Sequence, residues 1–205
     1  MQNRIIFITG RKGSGKTAFA TSLVNRQYLS GRRVFAINPT NSMFEAPPSG
    51  TPVLPGSPTI TTTAELLDPA FDTRSLVIIP GVDPSVAESC FQYVFACGNM
   101  VLLVDEVDLW LSHTRPSETL LSIIRYGRHR QIDLCAISQR PANVVRDLTA
   151  QADFIVMFQS TENRDVEYLA ARIGRDSAEM VRNLPQFKPL IYSAYTGGVV
   201  KGGTL

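Results

Sequence analysis

The residues best suited to chemistry lie near the start of the chain, in the stretch GRKGSGKT at residues 10–17. The stretch fits the pattern G-x-x-x-x-G-K-[ST], with an apolar run before it and helical apolar spacing after it. Loops of this kind turn their backbone N–H groups inward around phosphates, and the N-terminus of the following helix favours anions. The spacing therefore predicts a nucleotide phosphate site, and a chance match on a glycine-rich turn is the less favoured interpretation.

We expect the residues of this loop to divide the contacts with a nucleotide and its metal ion. Lys16 would reach the β- and γ-phosphates, and the hydroxyl group of Thr17 would hold Mg²⁺. The predicted cofactors are therefore ATP and Mg²⁺. The other loop residues expected to contact the nucleotide are Gly10, Lys12, Gly13, Ser14, Gly15 and Ala18.

A pair of carboxylates, Asp105 and Glu106, follows the apolar run MVLLV. The run predicts a buried strand that carries both acids to its C-terminal end, where open parallel sheets bind ligands. Asp105 is expected to hold Mg²⁺ partly through water, and Glu106 to polarise a water molecule for attack on the γ-phosphate. The second acid favours hydrolysis over phosphoryl transfer. Two simpler interpretations stay open, with Glu106 as a solvated carboxylate and Asp108 as the cap of a turn.

A polar amide, that of Gln139, is expected at the tip of the strand beside the acidic pair. There it would touch the γ-phosphate and the attacking water, and so respond to the state of the nucleotide. A basic cluster precedes this strand and is typical of a solvated helix end. As a group beside a phosphate site, the arginines also fit an arginine finger that reaches a neighbouring subunit's γ-phosphate. The cluster consists of Arg125, Arg128, His129 and Arg130.

The elements that must position these residues alternate along the chain. This alternation predicts an α/β fold, a three-layer α/β/α sandwich around a mostly parallel sheet, in a single domain of residues 1–205. A Pro-rich loop is expected at residues 41–58, with a short strand near 59–61. The predicted strands are 4–9, 33–37, 76–79, 100–104, 134–137 and 154–158, followed by a C-terminal β-hairpin of 190–195 and 199–200. The predicted helices are 16–30, 85–97, 117–130, 144–150, 163–173 and 176–184.

Composition and charge exclude several classes of protein. With 44% hydrophobic and 19% charged residues, the chain is typical of a globular protein. A net charge of +2 excludes a strongly basic nucleic-acid coat but allows a local basic patch. The three cysteines have no zinc-type spacing, and their odd number argues against a disulfide framework. No signal peptide or spanning apolar run is evident, so we expect a soluble intracellular protein.

Three of these features together resemble the FtsK/HerA superfamily of DNA-translocating ATPases. They are the loop at residues 10–17, the acidic pair, and the spacing of residues 128–141, from an arginine to Gln-Arg-Pro. The small size is most similar to the genome-packaging ATPases of icosahedral viruses with an internal membrane and double-jelly-roll capsids. The resemblance implies a P-loop fold of the RecA/FtsK type, ATP hydrolysis, and a homo-oligomeric ring, a hexamer, around double-stranded DNA.

The resemblance also implies roles and partners. By position, Gln139 corresponds to the family's sensor amide and Arg128 to its arginine finger, with Arg125 and Arg130 as rivals. Capsid or membrane proteins of a packaging vertex would be partners, in the host cytoplasm or the virion. We expect sequence-independent DNA contacts, since no helix-turn-helix or zinc finger is evident. Candidates for these contacts are Arg115, Arg164 and residues 172–182.

Other functions remain open beside viral genome packaging. A cellular or plasmid DNA-transfer ATPase would share the same motifs. A phage assembly ATPase is less favoured, because such proteins usually carry a transmembrane segment and no spanning apolar run is evident here. A small-molecule P-loop kinase comes from a different class, but it has no need of Glu106 or of the Gln139 strand tip. A GTP-binding switch would show an Asn-Lys-x-Asp type element, which the sequence lacks.

Overall fold

A computed structural model of the protein describes residues 4–39, 62–66, 77–80 and 83–201. Within these ranges the chain forms one eight-stranded sheet, in the spatial order β3-β2-β4-β5-β1-β6-β7-β8. The strands are β1 (Ile5–Thr9), β2 (Arg33–Asn38), β3 (Val77–Pro80), β4 (Met100–Val104), β5 (Ile132–Ser138), β6 (Phe154–Met157), β7 (Leu190–Ser193) and β8 (Gly198–Lys201).

The strands are connected by helices and short turns. The α-helices are α1 (Lys16–Leu29), α2 (Thr63–Leu66), α3 (Pro84–Cys97), α4 (Glu118–Tyr126), α5 (Arg146–Gln151), α6 (Asn163–Ile173) and α7 (Arg175–Met180). Short 3₁₀ helices lie at Val107–Leu109, Gly127–Arg130, Pro141–Asn143 and Val181–Asn183. None of the helices in the described ranges is long and apolar enough to cross a membrane.

The first six strands run parallel, and β7 and β8 extend the sheet as an antiparallel hairpin. Parallel pairing brings the C-terminal ends of β1, β4 and β5 to the same edge of the sheet. The register aligns Thr9 at the end of β1 with Ser138 at the end of β5, and Val104 with Ala136. The residues that follow these three strands therefore meet at one edge.

Both faces of the sheet are covered, as the apolar runs require. Alternate residues of β4 belong to two different clusters of buried side chains, with Leu102 in one and Leu103 in the other. Trp110 is buried and packs edge-on against Phe91, so the one tryptophan of the chain belongs to the core. The three-layer α/β/α sandwich is thus confirmed, because a sheet with two apolar faces needs helices on each.

Most predicted elements lie where the sequence indicates, but the helices predicted at 117–130 and 176–184 each end earlier and continue as a 3₁₀ turn. The helix predicted at 117–130 begins after the cap Ser117, whose side chain accepts a hydrogen bond from the backbone N–H of Leu120 at 3.0 Å. It ends at Tyr126, and residues 127–130 continue as a 3₁₀ turn that closes at Gln131, which has a positive φ of +56°. The helix α2 was not predicted. The Pro-rich loop at 41–58 and the short strand near 59–61 lie outside the described residues.

The close approach of Gly98 to the turn before β5 makes a prediction about stability. Gly98 has φ +64° and ψ −171°, and a Cβ added there would lie 2.5 Å from the carbonyl oxygen of Arg130. Gly98→Ala should lower the free energy of unfolding by about 3 kcal/mol, measured in denaturant, because this region of backbone space admits little but glycine.

A matched control is Gly31→Ala. Gly31 also has a positive φ, +85°, but an added Cβ would have no heavy atom within 4 Å. This variant should lose only the conformational cost of about 1–2 kcal/mol. Equal losses in the two variants would contradict a specific contact between Gly98 and the Arg130 carbonyl.

Candidate active site

The loop between β1 and α1 curves around the start of the helix. Its three glycines, Gly10, Gly13 and Gly15, all have positive φ values that other residues rarely adopt. Gly10 has a second reason to be glycine, since an added Cβ would lie 2.7 Å from the Cβ of Phe158. The hydroxyl of Ser14 is buried and has no hydrogen-bond partner among the described residues. A buried unpaired hydroxyl inside such a loop fits a phosphate oxygen as its partner.

Lys16, the first residue of α1, is 6% exposed and turns back over its own loop. Its Nζ donates a hydrogen bond to the carbonyl oxygen of Arg11 at 2.9 Å. Burial lowers the pKa of Lys16, and the charges of Glu106 and Asp105 oppose this effect. The lysine and the two acids therefore share one electrostatic environment. Lys12 and Ala18, by contrast, are exposed, and Thr17 is half-buried.

The acidic pair lies at the end of β4, as predicted. Asp105 is 3% exposed, and its backbone N–H donates to the carbonyl oxygen of Ile37 in the neighbouring β2 at 2.9 Å. One oxygen of its carboxylate accepts a hydrogen bond from the backbone N–H of Glu106 at 3.0 Å. Glu106 itself has φ +48° and starts the 3₁₀ turn, so the chain reverses sharply at this residue. The two carboxylates are thereby held at the same edge as the loop.

Gln139 lies beside Glu106 at the tip of β5. Its Nε2 donates a short hydrogen bond to Oε1 of Glu106. Burial raises the pKa of Glu106, the Gln139 hydrogen bond lowers it, and the charges of Asp105 and Asp108 raise it further. The carboxylate is thus a stronger base than an ordinary surface glutamate, and an amide holds its orientation. The interpretation of Glu106 as a fully solvated side chain is wrong, because it is half-buried and hydrogen-bonded.

Asp108 has a different place from the turn cap considered above. Its carboxylate accepts a hydrogen bond from the hydroxyl of Ser138 at 2.9 Å. Ser138 Oγ in turn accepts from the backbone N–H of Arg140 at 3.0 Å. The chain after β4 is therefore tied to the tip of β5, one residue before Gln139.

The residues suited to Mg²⁺ are all oxygen donors, which this ion prefers. Thr17 supplies a hydroxyl at the start of α1, and Asp105 supplies a buried carboxylate at the end of β4. In the described ranges no group of three or more His, Cys, Asp or Glu side chains forms a metal-binding cluster. A Mg²⁺ ion here would thus be held by one or two protein oxygens together with nucleotide phosphates, and the donor set fits that mode.

Sequence reasoning missed an ionic anchor next to Gln139. The guanidinium of Arg140 lies 3.3 Å from a carboxylate oxygen of Glu162 and 3.4 Å from one of Asp165. Asp165 is buried in the first turn of α6 and also accepts from the backbone N–H of Ala142 at 3.2 Å. An aspartate in the first turn of a helix is common, so the sequence offers no signal that separates this one from a surface residue.

The basic cluster lies away from the loop of its own chain. Residues 127–130 precede β5, so they occupy the opposite edge of the sheet, about 20 Å from the loop across seven strand residues. The expectation that the cluster adjoins the phosphate site is therefore wrong within one chain. This separation could have been predicted from the order of the elements. Residues 127–130 come before β5 and the phosphate loop comes after β1, and because the two strands are parallel, the two segments lie at opposite ends of them.

The three arginines considered for the finger differ in their surroundings. Arg125 pairs with Asp147, with Nη2 2.6 Å from the carboxylate. The guanidinium of Arg130 lies over the ring of Phe95, 5.5 Å from its centre. Arg128 is exposed, and its Nε donates a long hydrogen bond of 3.4 Å to Nε2 of the neighbouring His129. Arg128 is thus the least committed of the three within its own chain.

The site geometry agrees with a sequence comparison. The family described as "ATPase family associated with various cellular activities (AAA)" matches residues 6–160 of the 205-residue chain. The chain belongs to this AAA family. It is an ATPase, and the loop, the acidic pair and Gln139 all fall within the matched residues. A search of curated proteins finds no relative of significant similarity.

Solved structures show the same fold over nearly the whole AAA ATPase chain. The genome packaging NTPase B204 from Sulfolobus turreted icosahedral virus 2, in complex with AMP, is 19% identical with a TM-score of 0.79, over 99% of this chain and 98% of that one. VirB4 of Thermoanaerobacter pseudethanolicus is 13% identical with a TM-score of 0.67, over 99% and 90%. The bacterial conjugative coupling protein TrwB is 12% identical with a TM-score of 0.69, over 96% and 83%.

These comparisons confirm the resemblance to FtsK/HerA-type P-loop ATPases at the level of the fold. ATP binding and ATPase activity follow from membership of the AAA family. The small-molecule kinase considered from the sequence is therefore set aside.

The raised pKa of Glu106 makes a prediction about pH. A base must be unprotonated to act, so the acid limb of the kcat/KM profile should lie above the ordinary glutamate pKa of about 4.3. Gln139→Ala removes the hydrogen bond that lowers this pKa and should move the limb to higher pH. Asp108→Asn removes a charge that raises it and should move the limb to lower pH.

Glu106→Gln provides the reference for this measurement. It should keep ATP binding, measured by calorimetry, and lose about 10²–10⁴-fold in hydrolysis. Limbs that move in the same direction in Gln139→Ala and Asp108→Asn would contradict titration of Glu106 as their source.

Proposed function

We propose that this AAA ATPase is a motor that uses ATP hydrolysis to move double-stranded DNA, and that it packages a viral genome into a preformed capsid. The motifs at residues 10–17, 105–106 and 128–141 support the proposal, as does the end-to-end fold likeness to a genome packaging NTPase. VirB4 and the coupling protein TrwB share the fold as well.

The position of the basic cluster is the observation that best supports assembly of the subunits into a ring. Arg128 lies at the edge of the sheet opposite to its own phosphate loop, is exposed, and has no ion-pair partner in the described ranges. Such an arginine serves hydrolysis only if it approaches the γ-phosphate held by another copy. In a closed ring each copy would present its loop edge to one neighbour and Arg128 to the other. We infer a hexamer, as the resemblance implies.

The chemistry would follow from the residues at the loop edge. Lys16 would leave the Arg11 carbonyl and bind the β- and γ-phosphates, with Thr17 and Asp105 on Mg²⁺. Bound Mg²⁺ would neutralise charge that develops on the phosphates. Glu106 would accept the proton of the attacking water, and Gln139 would orient Glu106 or contact the γ-phosphate.

DNA contact would be made through phosphates and would carry no sequence preference. The exposed arginines that remain candidates are Arg115, Arg164 and Arg175. Arg182 is already bonded to Glu179 and to the carbonyl oxygen of Thr161, and Arg172 lies over the ring of Tyr192. These two members of the predicted stretch 172–182 are therefore poor candidates. A few cations per subunit suffice to hold DNA, because every subunit of a ring contributes the same cations to one central channel.

The partners of such a motor would be capsid or membrane proteins of the packaging vertex, with action in the host cytoplasm or at the virion. A second candidate, DNA transfer by a cellular or plasmid system, has the fold likeness to VirB4 in its favour. The two differ in whether transported DNA ends inside a capsid, which protection of that DNA from nuclease during assembly would decide.

The motor proposal predicts that double-stranded DNA stimulates ATP hydrolysis several-fold. Two unrelated DNA duplexes of equal length should act alike, and stimulation should weaken as salt rises, because counterions compete for the phosphates. Lys16→Ala serves as the inactive control. A hydrolysis rate that is indifferent to duplex DNA at low salt would overturn the proposal.

Action between subunits predicts rescue in mixed assemblies. Lys16→Ala and Arg128→Ala should each be inactive alone, the first through lost ATP binding and the second with binding intact. Assembled together on DNA, they should recover activity at about a quarter of the interfaces, where an Arg128→Ala subunit holds ATP and a Lys16→Ala subunit supplies the arginine.

The same mixing experiment ranks the three arginines. Arg125→Ala or Arg130→Ala can take the place of Arg128→Ala only if the substituted arginine is the finger. Such a variant should be inactive alone and should recover activity when it is mixed with Lys16→Ala. Mixing Lys16→Ala with the double variant Lys16→Ala/Arg128→Ala is the matched negative control. Absence of rescue at every ratio, with all three arginines, would contradict action across the interface.

A further inference from the structure

A turn at residues 185–188 contacts the phosphate loop and lies outside the stretch matched by the AAA family. It connects the 3₁₀ helix Val181–Asn183 with β7, and the backbone N–H of Lys188 donates to the carbonyl oxygen of Pro185 at 3.2 Å. The side-chain amide of Gln186 reaches the carbonyl oxygen of Gly13 at 3.4 Å. The turn is thus placed directly against the loop that would hold the phosphates.

Phe187 occupies the strained position of this turn. Its φ is +62°, whereas Gln186 before it has a negative φ, which is the type II pattern with Phe187 at the third position. That position strongly favours glycine or asparagine. A bulky aromatic residue there is a backbone outlier, and such outliers cluster at functional sites. The ring is also not buried as compensation, since Phe187 remains 64% exposed.

The ring of Phe187 lies against the last glycine of the loop. A Cβ added to Gly15 would lie 2.9 Å from Cδ1 of Phe187 and 3.5 Å from Cε1 of Phe158. Phe158 is buried and packs edge-on against Phe19 of α1, with ring centres 5.9 Å apart. Phe187 is therefore an exposed aromatic surface at the point where the loop becomes the helix, and the buried ring of Phe158 approaches the same glycine.

We propose that Phe187 is the platform on which the base of the bound nucleotide stacks. The backbone N–H groups around Gly13 and Gly15 recognise phosphates and leave the base without a partner. The exposed ring of Phe187 beside them offers a flat aromatic surface, on which a nucleotide base can stack face to face. The inference rests on a nucleotide that occupies the loop as proposed above, and is independent of DNA translocation.

A stacking platform also predicts a preference among nucleotides. Stacking reads the face of a base and not its hydrogen-bonding edge, so every base is accepted to some degree. The larger purine ring system covers more of the Phe187 ring than a pyrimidine does. Phe187 should therefore favour purine nucleoside triphosphates over CTP and UTP, and contribute little to a choice between ATP and GTP.

The test compares Phe187→Ala, Phe187→Gly and Phe187→Trp in the full chain, with binding of ATPγS and of inorganic tripolyphosphate measured by calorimetry. Tripolyphosphate has no base, so it reports the phosphate loop alone. Phe187→Gly is the matched variant for folding, because glycine adopts φ +62° without strain. We expect Phe187→Ala and Phe187→Gly to weaken ATPγS about tenfold, to leave tripolyphosphate unchanged, and to reduce the purine preference. Phe187→Trp should retain ATPγS binding.

Two results would overturn this role for Phe187. Equal weakening of ATPγS and tripolyphosphate would show that the ring only supports Gly15. Unchanged ATPγS binding in Phe187→Gly would show that the base lies elsewhere. Failure of the DNA motor proposal would leave these outcomes intact, because neither measurement contains DNA, and loss of tripolyphosphate binding in Lys16→Ala checks the loop separately.

Discussion

The parallel pairing of β1, β4 and β5 is the constraint on which the site depends. With Thr9 level with Ser138 and Val104 level with Ala136, the residues after the three strands must meet at one edge. Lys16, the acidic pair and Gln139 come from segments more than thirty residues apart, and no local structure could bring them together. The same constraint sends the arginines before β5 to the far edge, so a single chain separates Arg128 from the residues proposed to bind phosphate.

Burial makes this edge electrostatically interdependent. The pKa of Lys16 falls with burial and is supported by the two acids, while burial raises the pKa of Glu106. The charged form of each group is therefore stabilised by the opposite charges beside it, because an isolated buried charge is unfavourable in a protein interior. The amide of Gln139 adds a neutral donor to this group. It stabilises the ionised form of Glu106 without adding a further charge that would compete with Lys16.

Much of the fold could be predicted from the sequence, because buried strands such as β4 have unbroken apolar runs and α6 begins and ends where its pattern does. The placement of Gln139 next to Glu106 also followed from two strand tips on neighbouring strands. What could not be predicted depends on contacts distant in sequence. Asp165 under Arg140, and Phe187 against Gly15, carry no local pattern, since their positions are decided by how α6 packs and by where the turn before β7 meets the phosphate loop.

The anchoring of Arg140 has an electrostatic consequence. Gln139 faces Glu106, while its neighbour Arg140 is held by Glu162 and Asp165 at the start of α6. The two residues are adjacent in the chain, so the contact that Gln139 makes with Glu106 and the ion pairs of Arg140 share one short segment at the tip of β5. The edge that holds the proposed catalytic groups is thereby connected by ion pairs to the start of α6, the helix that carries the exposed Arg164, so a change at one place alters the electrostatic surroundings of the other.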